Sequence, residues 1–337
     1  MPGLMMESTR VTVKIGTHLP CDISNSQFHK LEICQPPLSV DLYNLHPEEI
    51  EFFKKATGIE EDEELKRHVL EVQRQAYDIF PYTCIRRFAF ATLKISLYPA
   101  YEDLLRLGKE RPGALFLELG CCFGTDARKA IYDGFPMNQV IASDLRPQFW
   151  DLGHKLFNDT PQTFPVPFLQ GDVFDPKFLS TKLDSSSTNT SLGWSPGSNF
   201  SSLKALNQLT SRLSAIHTSL FFHLFTESQQ YSLVQSLFNL LSPEAGSMIF
   251  GAHGGKKEKG FKGAGKGDRK REHGPMFCHS VESWKEMWYD VVSASNITNG
   301  NMNVEVKAEL RETWWAEPGQ DGPGNKMDVL VWSVKRL

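Results

Sequence analysis

Three acids stand at the ends of three short apolar runs: Glu118 in ALFLELG, Asp144 in QVIASD and Asp172 in VPFLQGD. Between the first two lies LGCCFGTD, where Gly120 and Gly124 allow the backbone to turn tightly and approach a ligand closely. A carboxylate beside a glycine loop suits a cationic group, so the spacing predicts a ligand that carries positive charge there. Asp144 follows the loop by about 20 residues, the distance from which an acid accepts hydrogen bonds from both hydroxyls of a ribose. Asp172 is placed to accept from an adenine amino group, with Val173 and Phe174 packing on the ring.

Other loop chemistries fit less well. A phosphate loop needs Lys followed by Ser or Thr, and 120–124 has neither; GFKGAGKG, at 260–267, ends in Gly where the magnesium-binding hydroxyl belongs, and no apolar helix follows. A dinucleotide loop needs two further glycines where this chain has Cys122 and Thr125. Cys121 and Cys122 are adjacent, which makes them poor joint ligands for a metal, so they read as small apolar fillers of the loop and no metal is expected. S-adenosylmethionine (SAM) carries an ammonium and a sulfonium and no phosphate. It accounts for an acid and glycines without a lysine, with Leu145 and Arg146 beside the ribose acid.

Methyl transfer from a sulfonium is an in-line displacement, in which the protein aligns the partners and excludes water. A carboxylate acceptor is ionised at neutral pH and needs no base, whereas a hydroxyl is helped by a positioned histidine. His223 and then His217, in IHTSLFFHLF, are the candidates for base or substrate orienter; Phe221, Phe222 and Phe225 read as core. Tyr98 is placed to close over the methionine end, Arg146 to pair with Asp144 or a neighbouring carboxylate, and Arg128 reads as structural. A SAM-binding regulator without turnover would share these features. An NAD-dependent oxidoreductase fits the loop less well, and a nucleic-acid methyltransferase lacks an Asn/Asp-Pro-Pro-Tyr motif after the fourth strand.

These residues need elements to hold them. The spacing predicts helices over 47–75, a turn at Pro81, a further helical pair ending near Gly108, and then strands alternating with helices. Strands are expected at 114–120, 139–144, 166–172, 213–219 and 246–252, followed by VEVKAELRETWW and KMDVLVWSVKR as a hairpin at one edge. The class is therefore α/β, a Rossmann-like and mostly parallel sheet with an antiparallel last strand. A helical extension or lid (1–108) precedes the catalytic domain (109–337), with insertions at 185–202, polar and of low complexity, and at 254–274, basic and rich in glycine.

The chain has 337 residues, 40% of them hydrophobic and 23% charged, enough for a large core. A net charge of −4 gives no general attraction to nucleic acid or membrane, and neither is expected as a partner. The six cysteines form no C-x-x-C pair, and no signal-peptide core or long apolar span occurs, so the chain reads as cytoplasmic with reduced thiols. The oligomeric state is not legible.

LGCCFGTDARKAIYDG, SDLRPQFWDLGHKLFND, IHTSLFFHLF and SVESWKEMW resemble the fungal small-molecule methyltransferases of meroterpenoid pathways, from about Pro47 to the C-terminus. The resemblance implies a SAM-dependent enzyme with a seven-stranded sheet that O-methylates a carboxylated polyketide or terpenoid. It implies an acidic, largely apolar small-molecule acceptor. Glu118 stands where that class commonly has Asp.

Overall fold

LFLEL, at Leu115–Leu119, is buried along its whole length, as a strand covered on both faces must be. In the computed structural model, which describes residues 37–182, 200–262, 276–299, 303–313 and 327–337, this strand (β1) lies inside a seven-stranded sheet. The other strands are β2 (Val140–Asp144), β3 (Phe168–Gln170), β4 (Leu213–Ser219), β5 (Met248–Gly254), β8 (Val304–Thr313) and β9 (Met327–Arg336), in the order β3-β2-β1-β4-β5-β9-β8. β1 to β5 run parallel, and β9 is antiparallel to both of its neighbours. The chain builds outward from β1 to β3 and then returns to place β4 on the other side of β1. The carboxyl ends of β1 and β4 thus flank the switch point, where ligands bind in open α/β sheets.

The expected terminal hairpin forms, but its last strand is interior. β9 pairs with β5 and β8 takes the edge. The sequences explain the choice: Leu330, Trp332 and Val334 of β9 are buried, whereas β8 alternates apolar residues with Glu305, Lys307 and Glu309. A short hairpin, β6 (Gly260–Lys262) with β7 (Met276–Cys278), was not expected; it brackets the basic stretch, of which 263–275 lies outside the described residues, as do 183–199 of the polar insertion.

Before the sheet come α1 (Pro47–Thr57), α2 (Asp62–Ile79), the single turn α3 (Thr83–Arg86) and α4 (Tyr101–Glu110). Proline starts α1, and Gly58, at φ 73°, ends it. Of the helical pair expected after Pro81, the second member forms as α4, while the first shrinks to α3 and gives way to irregular chain with 3-10 turns at Ala89–Ala91 and Lys94–Leu97. Pro99 accounts for part of this, since it disfavours helix at Tyr98. Between the strands run α5 (Thr125–Tyr132), α6 (Pro147–Leu156), α7 (Glu227–Leu240) and, after β7, α8 (Val281–Asn299).

The core has several parts, and one of them positions the loop. Phe52, Phe53, Leu65, Val69 and Val72 of α1 and α2 pack with Phe123 of the glycine loop and with Phe149 and Phe157 on or beside α6. The Phe53 and Phe157 rings stack at 5.2 Å. The glycine loop therefore rests on the helical segment as well as on the sheet. All described residues fall in one compact unit, Pro36–Leu337, and the residue 108/109 boundary falls within α4. Among the described residues no helix is long and apolar enough to cross a membrane.

Candidate functional site

The turn after β1 is held by its neighbour strand. The amides of Gly120 and Cys121 both donate to the Ser143 carbonyl, at 2.8 and 3.1 Å, and the Gly124 amide closes the turn on the Cys121 carbonyl at 2.7 Å. Gly120 (φ 70°) and Gly124 (φ 69°) are left-handed, and so is Cys122 (φ 52°), which takes the conformation a glycine would normally supply. A side chain at Gly120 would meet the Phe221 ring within 2.8 Å. Burial pushes the thiols of Cys121 and Cys122 well up, which suits apolar filling and not nucleophilic chemistry.

Asp144 is docked on this loop. Its Oδ2 accepts from the Cys122 amide and its Oδ1 from the Arg146 amide, both at 2.9 Å. Burial raises its carboxyl, and these two amides work against that rise. The Arg146 guanidinium lies 4.1 Å over the Phe80 ring, its Nε donates to the Tyr82 hydroxyl at 3.3 Å, and its charge lowers the Asp144 carboxyl. Leu145 between them is exposed. Asp172 is exposed as well, and its Oδ1 accepts from the Phe174 amide at 2.9 Å in a local turn, with Val173 and Phe174 half-buried beside it.

Beneath the loop, Arg128 donates to the carbonyls of Phe123 (2.9 Å) and Gly124 (3.3 Å) and forks onto Asp159 at 2.7 and 3.0 Å. The rings of Phe157 and Phe164 cover its guanidinium at 4.5 and 4.1 Å. The cation nearest the turn is therefore spent inside the protein.

The parallel register of β1 and β4 puts Glu118 beside His217. Both are buried, and His217 Nδ1 lies 2.7 Å from Glu118 Oε2, while His217 Nε2 has no partner among the described residues. The Tyr98 ring lies 5.7 Å from the His217 ring, and its hydroxyl shares a hydrogen bond with Ser219 at 2.7 Å. Two further groups escaped sequence reasoning. Asp126 accepts from the Ile95 amide at 3.0 Å, and Lys94 Nζ lies 3.4 Å from its other oxygen. Oxygens of Glu118 and Asp126 and a nitrogen of His217 lie within 4.8 Å of one another, and Lys94 supplies the positive charge beside them. Asp126, two residues past Gly124, could have been suspected; Lys94 sits in a run with no distinguishing pattern.

His223 is elsewhere. It lies on the 3-10 turn Phe222–Leu224, and its Nδ1 accepts from the Gly254 amide at the end of β5, at 2.9 Å. Buried nearby are His253, whose Nδ1 accepts from Trp332 Nε1 at 2.9 Å, and His279, which pairs with Ser283. Sequence reasoning missed both. Phe222 lies in this core as expected, whereas Phe221 covers Gly120.

The model of the meroterpenoid methyltransferase N-terminal domain matches residues 39–91. A methyltransferase of Penicillium rubens is 31% identical over 222 residues, which cover 66% of this chain and 68% of that protein. An O-methyltransferase of a fungal species (strain ATCC 74256) is 30% identical over 225 residues, 66% of this chain and 63% of that protein. Among solved structures, a Burkholderia thailandensis 1,6-didemethyltoxoflavin-N1-methyltransferase with bound S-adenosylhomocysteine aligns over 82% of this chain and 91% of its own, at 12% identity and a TM-score of 0.44.

Proposed function

This chain belongs to the fungal meroterpenoid methyltransferases, and from that premise we propose that it methylates a carboxylate oxygen of a small, acidic, largely apolar metabolite, with SAM as methyl donor. The observation that carries the reading is the left-handed turn 120–124 with Asp144 docked on it and Glu118 behind it, while Arg128 is tied to Asp159. That set offers acids and backbone to a cationic ligand and no free cation for a phosphate. Glu118, Gly120, Cys121, Cys122, Gly124 and Tyr98 would hold the methionine end, Asp144, Leu145 and Arg146 the ribose, and Asp172 with Val173 the adenine. When bound, SAM supplies a methyl group on a positively charged sulfur, and the chain's own task is alignment in a dry crevice.

Oxygen as the acceptor atom agrees with the O-methyltransferase among the relatives. The histidines favour a carboxylate over a hydroxyl. His223 Nδ1 accepts a backbone N–H, which places its own hydrogen on Nε2 and leaves no bare nitrogen to remove a proton, while His217, tied to Glu118 through Nδ1, keeps its Nε2 wholly buried. In this tautomer His223 is a donor at Nε2 and not a base. Of the helical extension or lid (1–108), residues 1–36 lie outside the described residues; its described part serves the catalytic domain (109–337) through Phe80, Tyr82 and Tyr98, which reach onto the crevice.

The test is incubation with methyl-deuterated SAM and a fungal metabolite extract, followed by mass spectrometry before and after mild alkaline hydrolysis. A labelled product that loses its label in alkali is the expected methyl ester. A label that survives overturns the carboxylate reading. Absence of SAM binding overturns the cofactor reading.

A further inference from the structure

Glu118 and Asp126 are two carboxylates buried side by side, and the cations that face them can be named. From the 3-10 segment before α4 comes Lys94, 3.4 Å from Asp126 and also bonded to the carbonyls of Ala89 and Thr92. From β4 comes His217, wholly buried, with Nδ1 on Glu118. The remaining neighbours are uncharged: the Tyr98 ring, the Phe250 ring 4.9 Å from His217, and the Cys121 thiol. Arg311, from β8, acts on Tyr98 from farther out. Two carboxylates thus face one fixed cation, Lys94, which pairs with Asp126 and acts on Glu118 from farther off, and His217 is the group in direct contact with Glu118.

We propose that His217 is a positioning residue that sets the charge of Glu118, so that SAM binds with release of the one proton these two side chains share. The inference rests on the cofactor reading above. Two carboxylates out of water beside one fixed cation leave one negative charge unanswered, and a proton on the Glu118–His217 pair cancels it while the crevice is empty; burial and then the Asp126 charge raise the Glu118 carboxyl, against His217 and Lys94. An ammonium arriving beside the loop supplies the missing counter-charge. The proton then leaves for solvent, Glu118 stays ionised, and His217 donates to it through Nδ1. Because the free form holds the proton that the bound form releases, SAM affinity rises with pH, by up to about tenfold per pH unit.

The experiment is titration calorimetry of the full chain with SAM at several pH values, in two buffers of different ionisation heat. About one proton released per SAM bound is expected where the free pair is protonated. In His217→Asn the amide still donates to Glu118 but brings no positive charge, so the release and the pH slope should move to higher pH and SAM affinity at neutral pH should fall. Glu118→Gln keeps the shape and removes the charge; it should lose the release and bind SAM at least about tenfold more weakly. A His217→Asn pH profile that matches the wild type, or a Glu118→Gln variant that releases protons as the wild type does, would overturn the inference, even if its melting temperature fell. Wild type that binds SAM without proton release would sink this inference alone, whereas wild type that fails to bind SAM would sink the cofactor reading and this one with it.

Discussion

On the β1–β2 side of the crevice the polar groups are charged and each is answered nearby: Asp144 by two amides, Arg128 by Asp159 and two carbonyls, Asp126 by Lys94. On the β4–β5 side they are histidines and indoles packed edge to face. His253 lies 4.5 Å from Trp284, and His279 lies 5.5 Å from it. Burial lowers both histidines far enough to keep them neutral at ordinary pH. The difference matches what each side is proposed to hold. A fixed, cationic cofactor is met by charge and by backbone turns, and a variable, apolar acceptor by rings that exclude water without imposing a field.

The largest expected effect strikes the charged side. Arg128→Met removes one partner of a buried ion pair, leaving Asp159 with His154 alone and the two loop carbonyls unanswered, and should cost about 3 kcal/mol of stability in urea denaturation. A loss below about 1 kcal/mol would show that the Phe157 and Phe164 cage, and not the charge, holds the loop, and would break the contrast between the two sides.

The neutral side should betray itself through pH. His279 is lowered from near 6.5 to about 4 by burial. Between those values the unfolded chain binds the proton and the folded one does not, so the stability is present above about pH 6.5 and is lost as pH falls toward 4. At about 1.4 kcal/mol per unit, the loss from this one group approaches 3 kcal/mol. Thermal melts of wild type and His279→Gln across that range check it. Curves that stay parallel would mean that His279 does not titrate on unfolding, and the neutral side would then be only aromatic.

The charged side was the more legible one in the sequence. β1, β2 and β5 begin as short apolar runs, and Glu118, Gly120, Gly124 and Asp144 carry their meaning in short spacings along one stretch of chain. The neutral side is assembled from segments far apart in sequence. His223 meets Gly254 across 31 residues and Trp332 meets His253 across 79, and no local period announces either contact. β6 and β7 are too short, at three residues each, to show alternation. Lys94 was hidden for a different reason: it falls within the stretch expected to be a helical pair between Pro81 and Gly108, and it meets Asp126 from a 3-10 turn there. The pairing of Glu118 with His217 depends on strand register, which neither sequence segment contains by itself.

Tyr98 joins the two sides, because its ring faces His217, the partner of Glu118, while its hydroxyl bonds Ser219 at the end of β4. Tyr98→Phe deletes only the hydroxyl. Ser219 is half-buried and can turn to water, so the cost should be that of one ordinary hydrogen bond, about 1 kcal/mol in denaturant titration. The partition of the kinetic effect is more informative than its size. If the hydroxyl serves the ring's position over the methionine end, KM for SAM should rise with kcat nearly constant. A fall in kcat at saturating SAM, with its KM unchanged, would place Tyr98 with the acceptor and move the border between the charged and the neutral side to the other face of His217.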